Sequence, residues 1–242
     1  MNPFSRSEPL FGPEGMARLQ KARVAVFGVG GVGGYAAEAL VRSGVGHIDL
    51  FDNDDVALTN LNRQIAALHS TLGMPKASVM ARRLLDVNPE AEIAVHSLFY
   101  LPENADTVDL TRFDYIIDAV DTVAAKLELI TRADQLGVPI ISAMGAGNKL
   151  DPTRLQVADI YQTRECRLAR VIRNECRKRG IRRLTVVYST EPPVVVAADN
   201  GEAPSASRRA VPASAIFVPA AMGLILAGEA VRAIAARETP SV

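Results

Sequence analysis

The stretch Val24-Ala25-Val26-Phe27-Gly28-Val29-Gly30-Gly31-Val32-Gly33-Gly34 decides the fold. Four apolar residues ended by glycine read as a buried strand. Gly28, Gly30 and Gly33 then satisfy G-x-G-x-x-G, with Gly31 inside the same turn. Residues 31–43 follow with Val32, Tyr35, Ala36, Ala39 and Leu40 at helical spacing. Strand, glycine turn and helix in that order let backbone N–H groups approach a phosphate at the helix N-terminus. The motif by itself leaves a dinucleotide and a mononucleotide both open.

Outward from this unit the pattern alternates. Strands are expected at 47–52, 92–97, 114–119 and 139–143, and helices at 75–87, opening on Pro75, and at 123–136. A short helix is expected at 16–22 on the other side. Such alternation implies βαβ units in a doubly wound, mainly parallel α/β sheet with helices on both faces. After about residue 150 the alternation weakens. Residues 153–159 alternate as an antiparallel strand, and 184–188 and 194–197 suggest further strands. Residues 199–214, with Arg208 and Arg209, read as a loop, and 215–236 as an apolar helix. Pro219, Gly223, Gly228, Glu229 and Arg232 make that helix a poor membrane span, so it is expected to be buried. The expected organisation is a Rossmann-like core at 1–150 and an antiparallel extension at 151–242 in one compact body.

Composition narrows the class. The chain has 242 residues and is 48% hydrophobic, which supports a sizeable core and excludes wholesale disorder. Two cysteines, Cys166 and Cys176, cannot build a disulfide framework or a four-cysteine zinc site. No basic start with an apolar run opens the sequence, so a cytoplasmic protein is expected. His47, His69 and His96 lack ligand-like spacing and take structural roles.

The segment Asp52-Asn53-Asp54-Asp55-Val56-Ala57-Leu58-Thr59-Asn60-Leu61-Asn62-Arg63-Gln64 argues against hydride chemistry. Asp52 ends the second strand, where a carboxylate accepts from ribose hydroxyls. Asn60 offers an amide and Arg63 a planar fork for phosphate oxygens. Lys76 adds a cation at the next helix start. Asp118 and Asp121 end a strand at the carboxyl edge, where a carboxylate holds Mg2+ beside phosphates. Two cations, a metal carboxylate and an anion-binding turn suit a triphosphate with pyrophosphate as leaving group.

These residues resemble the adenylyltransferase superfamily of ubiquitin-activating enzymes and their bacterial relatives. The matching segments are Gly28–Gly33, Asp52–Val56, Asn60–Gln64, Lys76 and Asp118-Ala119-Val120-Asp121. The resemblance implies ATP held by Gly28, Gly30, Gly31, Gly33, Asp52, Asp54, Asn60, Arg63, Gln64 and Lys76. It implies Mg2+ on Asp121, and a catalytic set of Arg63, Lys76 and Asp121. Arg6 matches an N-terminal arginine that reaches the neighbouring subunit's ATP, which implies a homodimer. Members that charge sulfur-carrier proteins commonly hold zinc through two C-x-x-C pairs, and this chain has none. Its 151–161, 168–173 and 187–191 segments instead resemble the branch acting on threonylcarbamoyl-modified adenosine in tRNA. That branch implies adenylation of the threonyl carboxylate, ring closure with loss of water, and sulfur-transfer proteins among the partners. Some members carry a cysteine before the final helix, where this chain has Val211-Pro212-Ala213-Ser214, so no thioester is expected there. The alternatives are an adenylyltransferase for a ubiquitin-like sulfur carrier, an NAD-dependent oxidoreductase and a non-catalytic scaffold.

The neutral total of 27 basic and 27 acidic residues conceals an asymmetry. Residues 164–183 hold nine basic and two acidic residues, a charge of +7, against −7 over the remainder. A one-signed patch attracts a polyanion. Arg167, Arg170, Arg173, Arg177, Lys178, Arg179, Arg182 and Arg183 are the candidate tRNA contacts. With no aromatic interleaving, they are expected to grip backbone phosphates rather than stack on bases. Arg167 with Val171, and Leu168 with Ile172, have the spacing of a helix face that can pack.

Overall fold

The computed structural model describes residues 2–195 and 212–236. Its strands are β1 (Arg23–Phe27), β2 (His47–Phe51), β3 (Glu92–His96), β4 (Tyr115–Asp118), β5 (Ile140–Ala143), β6 (Leu155–Asp159) and β7 (Thr185–Ser189). They form one sheet in the order β3-β2-β1-β4-β5-β7-β6. All neighbours are parallel except β6 and β7. The fold is thus the expected doubly wound α/β sheet, with its antiparallel pair late in the chain. The sheet continues past residue 150, because β7 lies beside β5.

The helices are α1 (Glu8–Lys21), α2 (Gly33–Arg42), α3 (Lys76–Val87), α4 (Val123–Leu136), α5 (Arg167–Lys178) and α6 (Phe217–Ala235). Both faces of the sheet are covered, which is why its central strands are apolar at successive positions. Val24, Val26, Ile48, Leu50 and Ile117 pack with Leu19, Leu40, Met80, Leu84 and Leu226 from α1, α2, α3 and α6. The alternate residues Ala25, Phe27 and Ile116 pack with Leu129 and Ala133 of α4. Ala169, Ile172 and Cys176 of α5 pack with Val186 and Tyr188 of β7. From β1 the chain winds outward to β2 and β3, then returns to β4 on the other side of β1. That reversal opens a crevice at the carboxyl ends of β1 and β4, the ligand position of such sheets.

Several boundaries differ from the expectations. The helix expected at 16–22 starts at Glu8, because Pro9 is tolerated in a first turn. Gly12, at φ 69° and ψ 166°, breaks its path just before Pro13. Pro75 caps α3 rather than opening it, with ψ 126° outside the helical range. Residues 194 and 195 are irregular rather than extended, and 196–197 lie outside the described residues, as do 199–211 of the expected loop with Arg208 and Arg209. On α5 the buried face is Ala169, Ile172 and Cys176, whereas Val171 is exposed and does not pack as its spacing suggested.

Among the described residues, α6 is the one helix long and apolar enough to cross a membrane. It lies against α2 and α1, with Met222, Leu226, Ala230 and Ile234 in the core. The approach to α2 is close: a Cβ on Gly223 would sit 2.2 Å from the Val32 carbonyl oxygen.

Candidate active site

A cavity of about 520 Å³ opens at the carboxyl edge of β1, β2, β4 and β5. Its walls include Gly28, Gly30, Gly31, Asp52, Asp54, Arg63, Gln64, Lys76 and Asp121. Residues separated by more than ninety positions thus meet because the strand that precedes each one ends at the same edge.

The glycine turn is built by close contacts. Gly28 adopts φ +85°, and a Cβ there would sit 2.7 Å from the Ala119 carbonyl oxygen. A Cβ on Gly33 would sit 1.8 Å from the Gly28 carbonyl oxygen. Gly33 therefore serves strand–helix packing and does not line the cavity. Gly31 lies beside Arg63, whose Cγ would be in ordinary contact at 3.4 Å with a Cβ placed there. A nucleotide phosphate fits this cradle, since the backbone is bare and α2 begins at its floor.

Asp52 ties the turn to β2. Its Oδ2 accepts from the Val29 N–H at 2.7 Å and its Oδ1 from the Asp54 N–H at 2.9 Å. Lys76 is buried at the N-terminus of α3, and its Nζ donates to Asp54 Oδ2 at 2.7 Å. The half-buried Arg63 donates from one guanidinium nitrogen to the Thr59 carbonyl and to Asn62 Oδ1, both at 2.9 Å. Gln64 is buried on the wall with its Oε1 unpartnered among the described residues. Both cations are held in place by neutral or acidic groups, and each can exchange those partners for phosphate oxygens.

Three expected residues lie off the wall. Asn60 is buried, and its Oδ1 accepts from the Ala57 N–H at 3.0 Å, closing the turn that presents Arg63. Gly33 packs as described. Arg6 is exposed ahead of α1 and is absent from the lining of this cavity.

The two strand-end carboxylates separate. Asp118 is fully buried and paired with Lys126 at 2.7 Å, so it is unavailable to a metal. Asp121 is exposed on the wall, and its Oδ1 contacts Thr122 Oγ1 at 3.4 Å. No cluster of three or more His, Cys, Asp or Glu suited to a metal occurs among the described residues. One free carboxylate beside a phosphate cradle fits Mg2+, which is commonly held by one or two carboxylates plus substrate phosphates.

The sequence reading missed much of the wall. Phe51, Leu98, Phe99 and Tyr100 form an apolar side, and Met144–Gly147 follow β5 along the crevice. The glycines of Met144-Gly145-Ala146-Gly147 directly after a strand were the available signal. Leu168 of α5 also lines the cavity, and a Cβ on Gly145 would lie 3.6 Å from Cys166 Sγ. The basic helix therefore begins at the cavity wall.

Its cations fall into two groups. Arg173 donates to the Thr163 carbonyl at 2.8 Å and Oγ1 at 2.7 Å, and Lys178 and Arg179 pair with Glu175. Those pairings hold the Glu175 carboxyl below the usual carboxylate range. Arg177 lies 5.3 Å over the Tyr161 ring. Arg167, Arg170, Arg182 and Arg183 are exposed with no side-chain partner among the described residues. Cys176 is buried, and burial pushes its thiol up to about 11. Cys166 caps α5, its Sγ accepting from the Ala169 N–H at 3.5 Å.

Comparison with known proteins places this architecture. The chain is 45% identical over 238 residues to tRNA threonylcarbamoyladenosine dehydratase of Bacillus subtilis, covering 96% of this chain and 94% of that protein. The crystal structure of the Escherichia coli tRNA N6-threonylcarbamoyladenosine dehydratase with AMP superposes with a TM-score of 0.86 at 34% identity. The same E. coli enzyme with ATP gives 0.84 at 33%. Each of these covers 96% of this chain and 93% of the solved one. The ThiF family model matches residues 4–242, and the chain belongs to the ThiF family.

Proposed function

We propose that the chain is an ATP-dependent dehydratase of N6-threonylcarbamoyladenosine in tRNA. The observation that carries this reading is the meeting of a phosphate cradle, two cations and one free carboxylate in a cavity where a basic helix begins. ATP is the nucleotide that the resembling E. coli enzyme binds. In the first step the threonyl carboxylate attacks the α-phosphorus of ATP, and pyrophosphate leaves. Arg63 and Lys76 stabilise the charge that develops on the leaving group. Asp121 would hold Mg2+, which when bound neutralises phosphate charge. In the second step the carbamoyl group of the same side chain attacks the activated carbonyl. A ring closes and AMP is released. Activation is necessary because a carboxylate is a poor electrophile, and tethering both groups on one side chain supplies proximity. The glycine turn and Asp52 bind the nucleotide, with Asp52 on the ribose.

Arg167, Arg170, Arg182 and Arg183 grip the tRNA backbone, leading away from the cavity along α5 and beyond its end. The reading extends to a homodimer in which Arg6 reaches the second subunit's nucleotide, to sulfur-transfer proteins as partners, and to the cytoplasm as the place of action. The test is mass spectrometry of nucleosides from threonylcarbamoyl-modified tRNA incubated with the protein and ATP. Loss of one water from the modified adenosine, dependent on ATP, is expected. No conversion of the nucleoside, with adenylation of a sulfur-carrier protein instead, overturns the reading in favour of carrier activation.

A further inference from the structure

Asp118 has no role in the chemistry above, yet it is fully buried beside the cavity. Asp118, Lys126 and Ser142 are each 0% exposed. Lys126 Nζ donates to Asp118 Oδ2 at 2.7 Å, and Ser142 Oγ donates to the same oxygen at 2.6 Å. Oδ1 accepts from the Val120 N–H at 3.2 Å. One carboxylate thus joins β5, α4 and the turn after β4.

Each of those three elements supplies cavity wall directly beside its bond to Asp118. Ala143–Gly147 follow Ser142, Ala125 precedes Lys126, and Ala119–Asp121 follow Asp118 itself. The same turn rests on the glycine cradle: Ala119 N–H donates to the Phe27 carbonyl at 2.8 Å, and Gly28 has room only for hydrogen against the Ala119 carbonyl. Stability alone does not require such a pair. Removing two charges from water is expensive, and apolar residues of similar volume often do as well or better. What the pair adds is fixed geometry in three elements at once.

We propose that Asp118, Lys126 and Ser142 form a positioning cluster that sets Asp121 and the β5 wall relative to the glycine turn. For the role of Asp121 the inference rests on the adenylation reading. The cluster touches no substrate; it acts through the turn it holds. Small misplacements of reacting groups cost rate far more than affinity, so the signature is a fall in kcat with ATP binding preserved.

The test compares the wild type with the charge-free double variant Asp118→Leu/Lys126→Met and with Ser142→Ala. The double variant is expected to stay folded at a lowered melting temperature, because the Ser142 hydroxyl and the Val120 N–H lose their acceptor, to bind ATP within about threefold by calorimetry, and to lose about 100-fold in kcat. A folded double variant with near-wild-type kcat overturns the proposal, because the pair would then serve stability only. Should the double variant fail to fold, Ser142→Ala decides, with about tenfold loss of kcat expected and an unchanged kcat overturning it. Hydrogen exchange of the Val120 and Asp121 amides reads the cluster without any substrate. Faster exchange in folded Ser142→Ala supports positioning even if the tRNA reaction itself is not observed, and unchanged exchange overturns it.

Discussion

The cavity at the carboxyl edge and the outer face of α5 both carry cations, but they hold them differently. In the cavity Lys76 is buried against Asp54 and Arg63 is fixed by the Thr59 carbonyl and Asn62. On and after α5, Arg167, Arg170, Arg182 and Arg183 are exposed and unpartnered among the described residues. A cation fixed in direction stabilises charge that develops at one place, which is a contribution to rate. A set of exposed, unpartnered cations neutralises phosphates by number, which is a contribution to affinity that salt removes. The two regions should therefore respond to mutation in different quantities.

The largest effect is expected at Arg63. Arg63→Ala should lower kcat by about 100-fold or more, the scale seen when one preorganised donor to developing charge is lost. Among the described residues the guanidinium supports only a local carbonyl and Asn62, so the melting temperature should barely move. Steady-state rates with modified tRNA and ATP check both halves. A loss confined to tRNA affinity would place Arg63 with the α5 group and erase the distinction.

A smaller effect, and of the other kind, is expected from Arg167→Glu, Arg170→Glu and Arg182→Glu together. tRNA binding should weaken by about 10- to 100-fold at moderate salt, and the slope of log K against log salt should shrink by about two to three. The rate at saturating tRNA should hold. Arg173→Ala is the internal control: its guanidinium is spent on Thr163, so it should cost stability and leave the salt slope nearly unchanged. A slope change equal to that of a free arginine would mean that partnered and free cations contribute alike.

The same contrast explains how much was legible beforehand. That Gly28, Asp52 and Lys76 meet on one cavity wall could be read from the sequence because a glycine turn, a strand end and a helix start each leave a local signature, and Arg63 joins them through the segment that follows Asp52. Spacing alone could not tell Asp118 from Asp121, and only the resemblance pointed to Asp121, since two carboxylates three residues apart at a strand end differ only in what lies beneath them. Lys126 and Ser142, eight and twenty-four residues on, made the difference. The Leu98–Tyr100 wall was hidden for a related reason: apolar residues beyond an edge strand carry no chemical signature. On α5, Leu168 and Val171 are both apolar at plausible spacing, and only the packing around α5 shows that Leu168 is half-buried at the cavity wall and Val171 exposed.

The smallest effect tests the inner face of the basic helix, where α5 turns from exposed arginines to core. Cys176 lies among Ile172, Ile181 and Leu184, and burial raises its thiol from 9.0 to about 11 although Arg179 pulls the other way. A nucleophilic cysteine needs its thiolate, so this one is chemically silent near neutral pH. Cys176→Ala should leave turnover within about twofold and cost about 1 kcal/mol of stability from lost packing. The folded state binds the thiol proton more tightly than the unfolded chain does. Its contribution is therefore complete below pH 9 and is lost as pH rises toward 11. Chemical denaturation of both proteins across that range should show their stability difference narrowing as pH rises. A difference that stays constant, or a large loss of turnover, would mean that the thiol titrates normally or takes part in the chemistry, and the inner face of α5 would then belong with the cavity.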